Sequence, residues 1–214
     1  MDKNQAKISS MNLPHNKKNK GFSLIELIIS MTVTLTLLVI VSTLLSGALG
    51  TRRRESRRND AMVSAQAAIN LMSREIANSG YGLTTNGIIT ADSNAQRIHF
   101  RANIENSNQQ TNSIGEDLAY YFDADTESIM RYDRYETPQM SVVVNRPGEL
   151  TFQYFEYVSG STPIAQTAPT NTTGRVRINI IVRLEPVEGQ PNGETVALTS
   201  DVMIKNSKYM LNQY

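Results

Sequence analysis

The chain has 214 residues, no cysteine, and 21 Lys and Arg against 20 Asp and Glu. The missing cysteines exclude a disulfide framework, thiol chemistry and any Cys-based zinc site, so a domain of this composition must hold together by its apolar core. The near-zero total charge hides a division: residues 1–21 carry five Lys and one Asp, residues 52–58 five Arg and one Glu, and the chain from Asn59 onward 11 basic against 17 acidic residues. That acidic remainder argues against broad electrostatic nucleic-acid binding by the head.

Residues 1–21 are polar and lack apolar periodicity, which reads as a removable leader rather than as fold. Behind them runs an apolar stretch over 22–49, beginning Phe22-Ser23-Leu24-Ile25-Glu26-Leu27. As a helix it is about 42 Å long, more than the roughly 30 Å hydrocarbon core of a bilayer, so it can span a membrane. Glu26 is its only charged residue. A carboxylate in hydrocarbon is costly and calls for a reason. One reading makes Ser23-Leu24-Ile25-Glu26 a capping box at a helix start, where the dipole also favours negative charge. The other makes Glu26 the buried partner of a positive charge on another subunit. Ser23 and Glu26 alone leave both open.

Next comes Arg52-Arg53-Arg54-Glu55-Ser56-Arg57-Arg58. With basic clusters at both ends of the apolar stretch, charge counting does not decide orientation; juxtamembrane arginines read as an interfacial anchor on lipid phosphates. From Met62 the pattern is amphipathic, with Met62, Ala65, Ile69, Met72 and Ile76 spaced 3, 4, 3, 4. No Pro or Gly falls between Thr51 and Ser79, so anchor and stripe form one helix ending near Gly80 as its C′ residue. From residue 22 to 79 it would measure about 87 Å, too long for a small globule, and must project from one.

Beyond Gly82 the period becomes two. Ile98 and Phe100 alternate with Arg97, His99 and Arg101; Leu118, Tyr120 and Phe122 share a face, as do Leu150, Phe152 and Tyr154; Val176, Ile178, Ile180, Val182 and Leu184 form the longest alternation. Further strands are expected at 128–132, 140–144 and 196–204, with residues 186–193 as the connection between the last two long strands. Residues 103–115 and 159–174 read as long loops. The sheet needs a cover, and the helical stripe is the surface available, which gives an α+β head with the apolar half of the helix outside it.

Candidates for chemistry are poor. His15 lies in the leader and His99 is expected on a solvated strand face, so no His pair exists for a metal or a relay. Asp123-Ala124-Asp125-Thr126-Glu127 lacks the Gly and distal Glu of an EF-hand loop and reads as a polar turn. Tyr120, Tyr121, Tyr154 and Tyr157 fall in strands, where packing is their default role. No catalytic, cofactor or metal residue is assigned, and no enzymatic activity is expected.

The contiguous run Lys20-Gly21-Phe22-Ser23-Leu24-Ile25-Glu26-Leu27-Ile28, preceded by Lys17 and Lys18, resembles the class III signal of type IV prepilins and pseudopilins. Unlike a secretory signal, its small residue, Gly21, precedes the apolar stretch, so that stretch survives processing. The resemblance implies that a prepilin peptidase cuts between Gly21 and Phe22 and methylates the new Phe22 amine. It implies a leader in the cytoplasm, a head outside the cytoplasmic (inner) membrane, and later a place in a fibre where Glu26 meets the Phe22 amine of a neighbour. Such a pair sets register more than it adds stability. Residues 67–76 followed by Gly80-Tyr81-Gly82 look like the helix end of PilW-like minor pilins and J-type minor pseudopilins. Tyr120-Tyr121-Phe122-Asp123, Leu150-Thr151-Phe152-Gln153-Tyr154 and Thr199-Ser200-Asp201-Val202-Met203-Ile204-Lys205-Asn206 are similar in kind. The implied organisation is a pilin-like α+β chain with a leader over 1–21, an assembly helix over 22–50, its continuation over 51–82 and an antiparallel head over 83–214. The implied role is that of a minor pilin, with other major and minor pilins and the membrane as partners. A minor pseudopilin of a type II secretion system and a membrane-anchored adhesin are the alternatives.

Overall fold

Between Ser23 and Asn78 no proline interrupts the chain, and one helix, α1, forms over Leu24–Ala77. The computed structural model describes residues 21–105, 110–145, 147–157, 162–184 and 193–211. Residues 1–20 of the expected leader and most of the 186–193 connection lie outside these residues. The chain divides into two units, residues 1–48 and 49–214, with the boundary inside α1.

In the first unit every described residue is exposed. Five of its hydroxyls are nevertheless satisfied: those of Ser30, Thr32, Thr34, Thr36 and Thr43 each donate to a carbonyl three or four residues back, at 2.7–2.9 Å. This back-bonding lets hydroxyl residues occupy an apolar helix without needing water.

In the second unit Ala65, Ala68, Ile69, Met72 and Ile76 of α1 are buried. The expected stripe is thus real from Ala65 onward but not at Met62, which is 42% exposed; Ala61 packs partly against the core instead. The helix stops at Ala77, short of Gly80, because the chain turns through Asn78 N–H to the Glu75 carbonyl and Ser79 N–H to the Ile76 carbonyl. The Ala77 carbonyl accepts from the Lys205 N–H at 3.1 Å, and Gly80 takes a positive φ of 78°.

The head has not one sheet but two, each four-stranded among the described residues. The first runs in order β1 (Arg97–Arg101), β2 (Asp117–Asp123), β3 (Ser128–Asp133), β4 (Met140–Asn145), all antiparallel. The second runs β6 (Ile164–Gln166), β5 (Pro147–Glu156), β7 (Thr173–Arg183), β8 (Thr195–Met203), also antiparallel. β6 falls inside a stretch expected to be loop. All three of its residues are exposed, so it leaves no alternation to read. The sheets meet where Phe152 N–H donates to the Ala95 carbonyl at 2.7 Å and the Tyr154 hydroxyl reaches the Asn94 and Arg97 carbonyls at 2.9 and 3.1 Å.

One core joins the layers. The α1 stripe packs with Ile98, Phe100, Leu118 and Tyr120 of the first sheet and Leu150, Phe152, Tyr154, Val176, Ile178 and Ile180 of the second. Each fully buried side chain of this size contributes about 1.5–3 kcal/mol, which is how a head without disulfides holds together.

Candidate processing and assembly site

The α1 N-terminus presents Gly21, Phe22 and Glu26 in sequence. Ser23 precedes the first helical residue, and its carbonyl accepts the Leu27 N–H at 3.1 Å, so it occupies the N-cap position. Phe22 is 84% exposed. A Cβ built on Gly21 would meet nothing within 4 Å, so nothing in the fold asks for glycine there. Glu26 lies in the first turn of α1, where the free N–H groups and the dipole favour an anion. Among the described residues, however, neither the Ser23 hydroxyl nor the Glu26 carboxylate has a hydrogen-bond partner. The reciprocal capping box is not made in this structure, and Glu26 remains an exposed carboxylate on an exposed apolar helix.

The apolar character of that helix is continuous. From Phe22 through Leu45 its large apolar side chains are each about half exposed or more, Ile29, Leu35, Leu38 and Leu44 among them. Among the described residues α1 is the one helix long and apolar enough to cross a membrane.

The head contains no comparable arrangement. Among the described residues no group of three or more His, Asp or Glu is placed to hold a metal ion. His99, expected on a solvated face, instead lies between two carboxylates. Its Nδ1 is 2.8 Å from Asp92 Oδ2 and its Nε2 2.5 Å from Asp117 Oδ1, while Arg101 Nε donates to Asp117 Oδ2 at 2.9 Å. Asp117 is buried because β1 and β2 pair Arg101 with it across the ladder. Sequence spacing could not show this contact, since it depends on strand register.

A second ionic cluster ties α1 to the first sheet. Arg131 contacts Glu75, donates from Nη1 to Glu136 at 2.7 Å and lies 3.4 Å from Asp133 Oδ2. The Tyr120 hydroxyl also donates to Glu75. Burial first, and the Glu75 charge second, push the Tyr120 pKa far above the usual phenol range; burial alone does so for Tyr154. Both tyrosines therefore act as protonated donors inside the core. The 123–127 segment is the expected turn between β2 and β3: Asp123 accepts from Asp125 N–H at 3.1 Å and from the Thr126 hydroxyl at 2.7 Å. A groove of about 740 Å³ on the head is lined by residues that include Arg57, Asp60, Val142, Asn145 and Arg183.

Residues 16–49 match the prokaryotic N-terminal methylation motif. No curated protein and no solved structure matches the chain. The motif covers the leader end and apolar half of α1 and leaves the head uncovered, so what it establishes is a prepilin- or pseudopilin-type N-terminus. Together with the long helix and its antiparallel β head, this N-terminus matches a pilin-like α+β architecture.

Proposed function

We propose that the chain is a non-enzymatic structural subunit, a PilW-like minor pilin that enters the tip or initiation complex of a type IV pilus. A prepilin peptidase cuts it between Gly21 and Phe22 and methylates the Phe22 amine. The precursor sits in the cytoplasmic membrane with its leader inside and its head outside, and then packs its apolar helix against other major and minor pilins.

The observation that carries this reading is the state of Glu26. Every hydroxyl bond described along the apolar helix is internal, whereas the one charged side chain of that helix has no partner among the described residues and is preceded by an unencumbered glycine. Cleavage after Gly21 creates a cationic amine at Phe22, the complement that an apolar assembly otherwise lacks. A buried pair of this kind sets register between subunits.

The methylation motif is common to pilins and pseudopilins, so a minor pseudopilin of a secretion fibre is the second reading it supports. The test of the assembly role is Glu26→Ala. The variant should insert in the membrane and be processed but fail to enter fibres; normal incorporation would contradict the pairing.

A further inference from the structure

The five arginines from Arg52 to Arg58 have no part in the proposed processing or in the packing of the apolar stretch. In the proposed orientation they are also on the wrong side, because Lys and Arg flanking a span favour the cytoplasm. A cluster that works against topology needs another reason to be there.

Their placement supplies one. At about 100° per residue around a helix, Arg52, Arg53 and Arg58 fall at roughly 0°, 100° and 240°, which spaces them almost evenly around α1. All three are exposed, and among the described residues none of them meets a carboxylate. Arg54, at roughly 200°, is turned to the head, where its Nε donates to Glu194 Oε2 at 2.9 Å just before β8. A stripe of arginines would suit a partner on one side. Three free guanidinium groups pointing in three directions suit a plane that surrounds the helix.

We infer that Arg52, Arg53 and Arg58 form a ring that binds the phosphates of anionic phospholipids at the outer face of the membrane and fixes the depth of the precursor before assembly. This deepens the membrane-anchored reading and rests on it. Two further features favour lipid as the occupant. The ring follows the apolar stretch directly, and that stretch, at about 42 Å, matches a bilayer of about 40–45 Å including its headgroups. The guanidinium fork also suits phosphate oxygens, which it engages in pairs. Entry into a fibre then has to exchange these phosphates for other contacts, so the ring opposes premature extraction.

Because the chain has no cysteine, single labels can be placed on the full-length protein. Ser56→Cys, between Arg52 and Arg53 around the helix, carries a fluorophore and reports on headgroups; Thr36→Cys reports on hydrocarbon. Both are reconstituted in phosphatidylcholine vesicles with equal small fractions of headgroup-quencher phosphatidylglycerol or phosphatidylcholine. The ring predicts several-fold stronger quenching at position 56 by phosphatidylglycerol, lost in Arg52→Gln/Arg53→Gln/Arg58→Gln while Arg54 and Arg57 are kept. Equal quenching by the two lipids, or a preference that survives the triple substitution, overturns the ring. A label at position 36 untouched by acyl-chain quenchers would instead overturn the membrane-spanning reading, and the ring with it. An unchanged unfolding midpoint of the triple variant confirms that the head is intact.

Discussion

Arg131 on β3 holds Glu75 on α1 through its Nε, 3.2 and 3.3 Å from the two carboxylate oxygens. Both side chains are largely buried, and the Tyr120 hydroxyl completes the contact. On the other flank of the helix Ser73 meets Ser200 of β8 at 3.2 Å. Polar contacts thus fix the rotation of α1 on the head, where apolar packing alone leaves it free to slide.

Glu75→Ala should therefore lower head stability by about 1–3 kcal/mol, the cost of leaving a buried donor unmatched. Arg131 keeps Glu136 and Asp133, which limits the loss. Denaturant unfolding followed by circular dichroism measures it; Tyr120→Phe should cost less, about 1 kcal/mol.

Gly87→Ala should be poorly tolerated, because Gly87 is buried and has no room for a side chain. Gly87 has a φ of +76°, and a Cβ there would lie 2.2 Å from the Gly80 nitrogen and 2.3 Å from the Arg101 carbonyl oxygen. These backbones are close because Gly80 N–H donates to the Arg101 carbonyl and Arg101 N–H to the Gly87 carbonyl, each at 2.8 Å. A left-handed alanine alone costs about 1–2 kcal/mol. With backbone on two sides, a drop in unfolding midpoint clearly exceeding that of an exposed Gly→Ala control is expected.

These two sites show what the sequence could and could not carry. The alternations at Ile98 and Phe100 and from Val176 to Val182 predicted buried faces, and those residues are buried. A period of two says which face is inside but not which strand lies beside it, so the division into two sheets was hidden. Nothing in the local sequence marks Glu75 as a buried contact, since its partner Arg131 is 56 positions away. His99 was misjudged for the same reason: Asp117 reaches it only through the β1–β2 register. The N-terminal motif was legible because its residues act together while contiguous, with no fold needed to assemble them.

The Arg177–Asp201 pair across β7 and β8 gives the head an acid-dependent contribution. Hydrogen bonding from Arg177 lowers the Asp201 pKa below its usual value. A depressed folded-state value means stability fully present above the unfolded pKa of about 3.9 and lost as pH falls through the lower folded value. Both groups are partly exposed, so the effect is small and weaker in salt. The stability difference between the parent and Asp201→Asn should be constant near neutrality and vanish in acid; a difference that grows in acid would contradict the assignment.

Gly21→Arg should block processing without harming the head. A Cβ on Gly21 meets nothing within 4 Å among the described residues, so the substitution should leave the head unchanged and act on the cleavage step. Precursor should accumulate with an unchanged unfolding midpoint, whereas Gly21→Ala should still be cut.

The central claim is that this chain becomes an assembly subunit by losing residues 1–21 and acquiring a modified amine at Phe22. Mass spectrometry of the amino-terminal peptide from the mature protein tests it most directly. The account predicts a peptide beginning at Phe22 and carrying one N-methyl group. A fibre-incorporated chain that retains residues 1–21 would contradict it.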